Sequence, residues 1–201
     1  MNRHSVSTVA PSRVKRARRF PAQLTHIRSD HRLDAVNPVR AYFGLGSNLG
    51  DREAELAAAL AGLARRAAPI LAVSSYYETE PVGGPPQGWF LNAVAVADVA
   101  LAPEALLAAC RAVEHERGRI REVRDGPRTL DVDILLYGDA VTQHAELILP
   151  HPRMHERRFV LEPLAELAPG LRHPVLGLTV AELLARCPDT ATVLRRERVG
   201  P

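Results

Sequence analysis

The sequence predicts an α+β fold in which helices pack against one mostly antiparallel β-sheet. Two patterns predict it: strand-like and helical segments follow one another in the order βαββαβ, and further helical patterns trail at the C-terminal end. The third observation is size, because 201 residues, 46% of them hydrophobic and 24% charged, can bury one sizeable core. We therefore expect a single folded domain over residues 40–201.

The first half of this order starts with the apolar segment AYFGLG at 41–46, which is typical of a short buried strand. A turn, SNLGD, then precedes a helical pattern over about 52–67. The segments ILAVSSYYE at 70–78 and FLNAVAVADV at 90–99 are each predicted to be one strand. Glycines and prolines crowd the stretch between them, which therefore has the composition of a long loop.

The second half starts at Pro103, a favourable first position for a helix that we expect to end near Arg117. An irregular stretch over 118–129 then leads into a strand within GPRTLDVDILLYG, residues 126–138. This strand completes the βαββαβ order.

Three further segments follow in the C-terminal part of the chain. LILP ends at Pro150 and has the length of an edge strand. A helix is predicted from about Arg158, and Thr179 is a suitable cap for another over VAELLARC.

Residues 1–39 are predicted to be a basic, disordered arm. Residues 1–40 contain nine Arg or Lys against two Asp or Glu, a net charge of +7, whereas the rest contains 17 against 21, a net charge of −4. The arm shows no helical or strand period and is broken by prolines. It is either an electrostatic anchor for polyanions or an incidental extension of the chain.

Several classes of protein are excluded by composition. No apolar run approaches the roughly 20 residues that a membrane span needs, and no association with a membrane is expected. The N-terminus lacks the apolar region of a secretory signal, so a cytoplasmic location is expected. The two cysteines, Cys110 and Cys187, lie in apolar surroundings without a CxxC or Cys/His pattern, which argues against a disulfide framework or a zinc site.

Two aspartates occupy alternate positions of the predicted strand that follows Pro127. Residues two apart on a strand share a face, so Asp131 and Asp133 lie together while Leu130, Val132 and Ile134 face the core. Paired carboxylates repel unless a cation lies between them, and Mg²⁺ suits a site with one or two carboxylates plus phosphate oxygens. The alternative is an ordinary solvated strand face.

Basic residues surround this pair on both sides in the sequence. Five arginines precede it: Arg117, Arg119, Arg121, Arg124 and Arg128. Guanidinium groups beside a carboxylate-held metal are what binding of a polyphosphate requires. Downstream, His151 is a candidate hydrogen-bond donor to a phosphate oxygen or a general acid, or else a surface histidine, and His155 is a weaker candidate.

The glycine-rich segment GLGSNLG is a weak candidate for a phosphate-binding loop. It follows a predicted strand, but it has neither the lysine of GxxxxGK[ST] nor the GxGxxG pattern. A Gly-Ser followed by Asp-x-Asp also occurs in nucleotidyltransferases of the polymerase-beta type, where the two elements are close. Here the serine and the first aspartate are far apart, at Ser47 and Asp131.

Six motifs in one order resemble the 2-amino-4-hydroxy-6-hydroxymethyldihydropteridine pyrophosphokinase family of the folate pathway. They are GLGSNLGD, VSSYYETEPVG, FLNAV, ERGRIR, GPRTLDVDILLYG and LPHPRMHERRFVLEPLAELAP, and they span about residues 41–190. The resemblance implies a ferredoxin-like βαββαβ core in an α/β sandwich. It also implies transfer of a diphosphate from ATP to the hydroxymethyl group of the pterin with release of AMP, and two Mg²⁺ ions held by Asp131 and Asp133.

The resemblance further implies roles for individual residues. The catalytic residues are Arg119, Arg128 and His151. The residues around ATP are Glu114, Arg121, Ile134, His151 and Arg157. The pterin residues are the aromatic pair Phe90 and Phe159, which sandwiches the ring, with the polar partners Thr79 and Asn92 and the loop contact Val82. The chain departs from the pattern of some members at Glu80, Arg111, Asp125 and Pro152.

A second functional class stays open on the residues alone, namely a nucleic-acid-binding module with a basic arm. Against it, the body of the chain is net acidic and offers only four Phe, four Tyr and one Trp for base stacking. The resemblance implies ATP and hydroxymethyldihydropterin as partners; no specific nucleic acid is expected, and the chain is expected to be a monomer.

Overall fold

In the computed structural model, Met1 and residues 37–118 and 126–196 are described, and all of them except Met1 belong to the unit formed by residues 34–201. The described residues contain eight strands, which are β1 Val39–Ser47, β2 Ile70–Val73, β3 Tyr76–Thr79, β4 Phe90–Val99, β5 Asp131–Tyr137, β6 Thr142–His144, β7 Leu147–Leu149 and β8 Val193–Arg196. The helices are α1 Arg52–Arg66, α2 Pro103–Glu116, α3 Arg158–Leu167 and α4 Val180–Ala185, with a 3₁₀ turn at Met154–Glu156.

Six of the strands form one antiparallel sheet in the order β5-β1-β4-β3-β8, in which β2 also pairs with β4. The strands β6 and β7 form a separate hairpin. The βαββαβ order is present as β1, α1, β2 with β3, β4, α2 and β5. The predicted α+β class with a mostly antiparallel sheet is therefore confirmed.

Local signals account for where α1, α2 and α4 begin. The side chain of Asp51 caps α1 by accepting a hydrogen bond from the Ala54 amide at 3.1 Å, and Pro103 starts α2. Thr179 caps α4 in a capping box with Glu182, as the sequence predicts. None of the helices in the described part of the chain is long and apolar enough to span a membrane.

The two faces of the sheet are covered differently. Helices α1 and α2 pack on the first face over a core that includes Phe43, Leu56 and Leu106, all fully buried. Helices α3 and α4 pack on the second face over a smaller cluster around Leu161 and Leu164. The rest of the second face is an open cleft.

Strand β5 contributes side chains to both faces of the sheet. Its predicted inward residues Leu130, Val132 and Ile134 are buried in the first core, which confirms the alternation. The register against β1 then shifts, because Tyr42 is opposite Leu136 while Phe43 is opposite Ile134. This bulge leaves Leu135 as an extra residue that joins the cluster of the second face.

The structure corrects several predicted boundaries. The segment 70–78 is two strands, because Ser74 turns aside: its hydroxyl accepts the Val94 amide at 3.0 Å, and the next amide, of Ser75, donates to Glu166. Strand β1 begins at Val39, two residues before the predicted start. Strands β6 and β8 were not predicted, because short edge strands have little apolar periodicity.

Candidate active site

The cleft on the second face of the sheet spans about 810 Å³ of space, including the part that is open to solvent. Its walls come from β1, β4 and β5, from the loop at residues 80–89 and from the start of α3. Eight residues named from the sequence as catalytic, pterin or metal residues line it: Thr79, Val82, Phe90, Asn92, Arg128, Asp131, Asp133 and Phe159. Arg157, named as an ATP residue, lines it as well.

Strand register explains why these residues meet. One row across the sheet contains Asp131, Gly46 and Asn92 on β5, β1 and β4, and the next contains Asp133, Gly44 and Val94. Adjacent strands are about 4.8 Å apart, so the carboxylates stand roughly 10 Å from the β4 residues across the central strand. The cleft is thus a trough with carboxylates on one side and Asn92 on the other.

The floor of this trough requires glycine. A Cβ on Gly46 would lie 2.7 Å from Asn92 Oδ1, and one on Gly44 would lie 3.2 Å from Leu135 Cδ2. The first distance is too short for a side chain without displacing Asn92. The glycine-rich segment that the sequence offered as a weak phosphate loop therefore has another role here, since it lets β1 pass beneath the cleft.

Asp131 and Asp133 occupy the β5 side of the trough. The guanidinium Nη1 of Arg128 donates to Asp131 Oδ2 at 2.6 Å, while its Nε donates to the carbonyl of Gly126 at 3.2 Å. This pairing partly neutralises one carboxylate and holds the arginine against the cleft.

His151 lies beside the same pair. Its Nε2 is 3.9 Å from Asp133 Oδ2, and its Nδ1 accepts a hydrogen bond from the backbone amide of Arg153 at 3.2 Å. The neutral ring therefore has its proton on Nε2, directed to the carboxylate side. Burial, assisted by the positive charge of Arg157, lowers the pKa of His151 to about 4.

Each predicted pterin aromatic has an arginine over its ring. The guanidinium carbon of Arg128 is 5.5 Å from the centroid of Phe90, and that of Arg157 is 5.6 Å from the centroid of Phe159. Both distances are within the range of cation–π attraction. Phe90 is the first residue of β4, and Phe159 is in the first turn of α3.

The two polar residues predicted to bind the pterin, Asn92 and Thr79, are hydrogen-bonded to each other. Asn92 Nδ2 donates to Thr79 Oγ1 at 2.7 Å, and both residues are buried. The bond fixes the orientation of the Asn92 amide, so that its oxygen lies above Gly46. A flat heterocycle with donors and acceptors on its edge is the kind of ligand that such a pair of aromatics and a fixed amide can hold.

Two of the ATP residues named from the sequence have side chains on the first face of the sheet, opposite the cleft. Glu114 on α2 is buried. Its Oε1 accepts a hydrogen bond at 2.8 Å from the backbone amide of Val132, the residue between the two aspartates. The Ile134 side chain packs in the first core. Arg119 and Arg121, together with the departure at Asp125, lie outside the described residues.

Three cleft or cleft-side residues were missed by the sequence analysis. Gln87 and Arg153 line the cleft, and Asn48 lies where β1 ends, with hydrogen bonds to the 80–89 loop and to Arg128. Arg153 occurs in the basic stretch around His151, and Asn48 in the glycine-rich segment. Only proximity to these motifs could have indicated Arg153 and Asn48, because neither residue belongs to a hydrophobic period.

The residues present fit a magnesium site that is completed by substrate. Within the described ranges, no group of three or more His, Cys, Asp or Glu side chains is placed to hold a metal ion. The donors available on the cleft face are two carboxylates on alternate positions of one strand. Mg²⁺ is suited to such a set, because it takes one or two carboxylates and fills its other positions with phosphate oxygens and water.

Comparison with known proteins agrees on one family. The family described as 7,8-dihydro-6-hydroxymethylpterin-pyrophosphokinase (HPPK) matches residues 42–169. A 2-amino-4-hydroxy-6-hydroxymethyldihydropteridine pyrophosphokinase of Methylorubrum extorquens is 48% identical over 150 residues, which cover 73% of this chain and 92% of the relative. The protein of the same description from Pseudomonas aeruginosa is 47% identical over 150 residues, covering 74% and 92%.

Solved structures agree on the fold. A wild-type HPPK-DHPS of Plasmodium falciparum, crystallised with pterin and p-hydroxybenzoate, matches with a TM-score of 0.60 at 16% identity. The match covers 77% of this chain and 44% of that one, so this chain spans less than half of the longer protein.

Proposed function

The chain belongs to the 7,8-dihydro-6-hydroxymethylpterin-pyrophosphokinase family, and from this membership we propose that it transfers a diphosphate from ATP to the hydroxymethyl group of 6-hydroxymethyl-7,8-dihydropterin in folate biosynthesis. The hydroxymethyl oxygen loses its proton to solvent and forms a bond to the β-phosphorus, the bond from that phosphorus to the α,β-bridging oxygen breaks, and AMP leaves with the bridging oxygen. The chain is thus an ATP-dependent diphosphotransferase.

The observation that carries this proposal is the arrangement of the cleft across the glycine strand. Carboxylates and arginine lie on the β5 side, whereas the fixed amide of Asn92 lies on the β4 side with Phe90 at its end. A polyphosphate needs the first set and a pterin needs the second. The separation of roughly two strand spacings lets both ligands lie in the cleft with their reacting ends between the two sides.

Asp131 and Asp133 would hold the magnesium that a kinase using ATP requires, and we assign two ions to this pair. When bound, Mg²⁺ would supply positive charge that offsets the charge developing on the transferred group. The carboxylates themselves keep the phosphate end of the cleft on the β5 side.

The arginines and His151 act on the phosphates directly. Arg128 already lies between Asp131 and Phe90, so a short rotation would direct its guanidinium toward a transferred phosphate. Its partner in this role is Arg119, with Arg121 and Arg157 binding the nucleotide. His151 donates from Nε2 to a phosphate oxygen, because its other nitrogen already accepts the Arg153 amide.

Phe90 and Phe159 stack on the pterin, and Asn92 and Thr79 bind its edge, with Val82 closing the cleft from the 80–89 loop. For ATP, the buried side chains of Glu114 and Ile134 act through the strand that they support. Glu114 holds the Val132 amide, and Ile134 anchors β5 in the core beneath the cleft.

We also keep the expectation that the chain is a monomer. The nucleic-acid-binding alternative has no observation in its favour among the matched families. Size-exclusion chromatography with light scattering and a filter-binding assay with RNA test these two points.

The test of the function is incubation of the protein with ATP, Mg²⁺ and the hydroxymethyl pterin, followed by nucleotide analysis. We expect AMP to appear in equal amount with the pterin diphosphate, only when pterin and Mg²⁺ are both present. Formation of ADP instead of AMP, or AMP release that is independent of pterin, would refute the assignment.

A further inference from the structure

Asn48 connects the two sides of the cleft. It is the first residue after β1 and is buried. Its side-chain oxygen accepts the backbone amide of Arg128 at 2.8 Å. Its side-chain nitrogen donates to Gln87 Oε1 at 2.9 Å and to the carbonyl of Gly88 at 3.2 Å. Its own backbone amide donates to the carbonyl of Arg128 at 3.2 Å.

These partners come from distant parts of the sequence. They are separated from Asn48 by 39, 40 and 80 positions. The bonds do not serve the neighbouring helix, because α1 is capped by Asp51. Asn48 is therefore a long-range cross-link and not a local turn or cap residue.

Each end of this cross-link leads to a substrate-facing side chain. On one side, Gln87 and Gly88 belong to the 80–89 loop, which runs directly into Phe90. On the other side, the Arg128 guanidinium bonds Asp131 at 2.6 Å and lies 5.5 Å from the Phe90 ring. One amide thus sets the position of the loop before the aromatic residue and of the backbone of the arginine that reaches both ends.

We propose that Asn48 is a positioning residue that fixes the aromatic end of the cleft relative to its carboxylate end. The proposal rests on the proposed function, because it assigns the two ends to pterin and to phosphate. An amide is required at this position, since one side needs an acceptor for a backbone N–H and the other needs a donor for two oxygens. The side chain of asparagine offers both in one plane, and its NH₂ group has two N–H bonds for the two loop oxygens.

The 80–89 loop has the composition of a segment that depends on such an anchor. Gly83 and Gly84 have positive φ angles, and prolines flank them. Its other described side-chain anchors are at the ends, where Arg52 Nη1 donates to the Trp89 carbonyl at 3.1 Å and Glu80 accepts the Thr192 amide at 2.8 Å. Loss of the Asn48 amide would leave the segment before Phe90 more mobile.

The experiment compares the full-length variants Asn48→Ala, Asn48→Asp and Gln87→Ala with the wild-type protein. Asn48→Ala removes both halves of the cross-link, Asn48→Asp keeps the acceptor for Arg128 but loses the donor, and Gln87→Ala removes one loop bond. Asn37→Ala is the matched control, because Asn37 is exposed and precedes β1. Trp89, the single tryptophan of the chain, reports on the loop through acrylamide quenching of its fluorescence.

For Asn48→Ala we expect kcat/KM for the pterin to fall about a hundredfold, because misplacement of a substrate by about 1 Å costs that much. Quenching of Trp89 should rise, while the KM for ATP changes less than the KM for the pterin. Asn48→Asp should lie between Asn48→Ala and the wild type in both readouts, and Asn37→Ala should match the wild type.

Wild-type kinetics and quenching in Asn48→Ala would overturn the proposal, as would a loss of activity without any change at Trp89. If Asn48→Ala does not fold, Gln87→Ala decides, with increased quenching and a raised pterin KM expected at an unchanged Tm. Failure of the function itself is seen separately, as absence of pterin-dependent AMP in the wild type. The quenching comparison needs no substrate and still tests the cross-link.

Discussion

The two faces of the six-stranded sheet are built from alternate residues of the same strands, yet they differ in what they contain. On β5, Val132 and Ile134 enter the core beneath α1 and α2, whereas Asp131 and Asp133 line the cleft. The first face is apolar and closed. The second is apolar only where α3 and α4 cover it.

Strand β1 shows the same division in side-chain size. Phe43 and Leu45 are buried on the helix-covered face, while Gly44 and Gly46 face the cleft. The first face stabilises the fold by burying apolar surface. The cleft on the second face buries less apolar surface and leaves space and polar groups for ligands. Substitutions on the two faces should therefore have separable effects, on stability for one and on activity for the other.

The largest effect on activity is expected for Asp131→Asn and Asp133→Asn. Each should lower kcat by several orders of magnitude, because the two carboxylates are the proposed magnesium ligands and no described neighbour replaces them. The melting temperature should change little, since removal of one charge also relieves repulsion within the pair. Steady-state kinetics across a Mg²⁺ titration check this, and near-normal turnover at saturating Mg²⁺ would remove the metal assignment.

The aromatic side of the cleft should show an effect on one substrate only. Phe159→Ala is expected to raise the pterin KM about 5- to 150-fold, equivalent to a loss of roughly 1–3 kcal/mol of stacking. Phe90→Ala should act in the same direction, and the KM for ATP should stay within about threefold for both. Isothermal titration with pterin in the presence of an ATP analogue measures the change, and an equal loss of affinity for both ligands would contradict the sandwich.

Ile134→Ala tests the opposite face at a position next to Asp133. Its side chain is 5% exposed, so truncation should cost about 2–5 kcal/mol in the free energy of unfolding. We expect kcat below the unfolding transition to fall less than about threefold, because the side chain lies on the far side of the sheet from the cleft. Urea denaturation and kinetics at 15 °C separate the two. A large rise in the KM for ATP with little loss of stability would place Ile134 in direct contact with the nucleotide.

The smallest effect is expected at the N-terminus, whose basic residues were assigned to an arm. Deletion of residues 1–36 should leave kcat and both KM values within about twofold, because a segment without an apolar period cannot offset its ordering entropy of about 1–2 kcal/mol per residue. Deletion through Arg40 serves as the contrasting variant. It removes Val39 from β1 and the ion pair of Arg40 with Asp98, and it should lower the melting temperature.

Strand periodicity is the part of this fold that could be predicted most directly. The division of β5 into Asp131 and Asp133 on one face and Val132 and Ile134 on the other follows from a repeat of two residues. Strand β4 and helices α1, α2 and α3 were predicted to within one residue at their ends or starts, because their apolar patterns are local. The break at Ser74 was missed, since it depends on a partner on β4, 20 residues later.

The amino-acid sequence by itself determined the α+β class, the faces of the β5 residues and the chemistry of the candidate ligands, because these depend on local period and on residue type. Tertiary structure decided what lies opposite what: that Gly46 passes between Asp131 and Asn92, that Arg128 covers Phe90, and that Asn48 joins segments 40 and 80 residues away. The physical reason is that strand register and loop closure are set by packing over the whole sheet, and no local repeat in the chain encodes them.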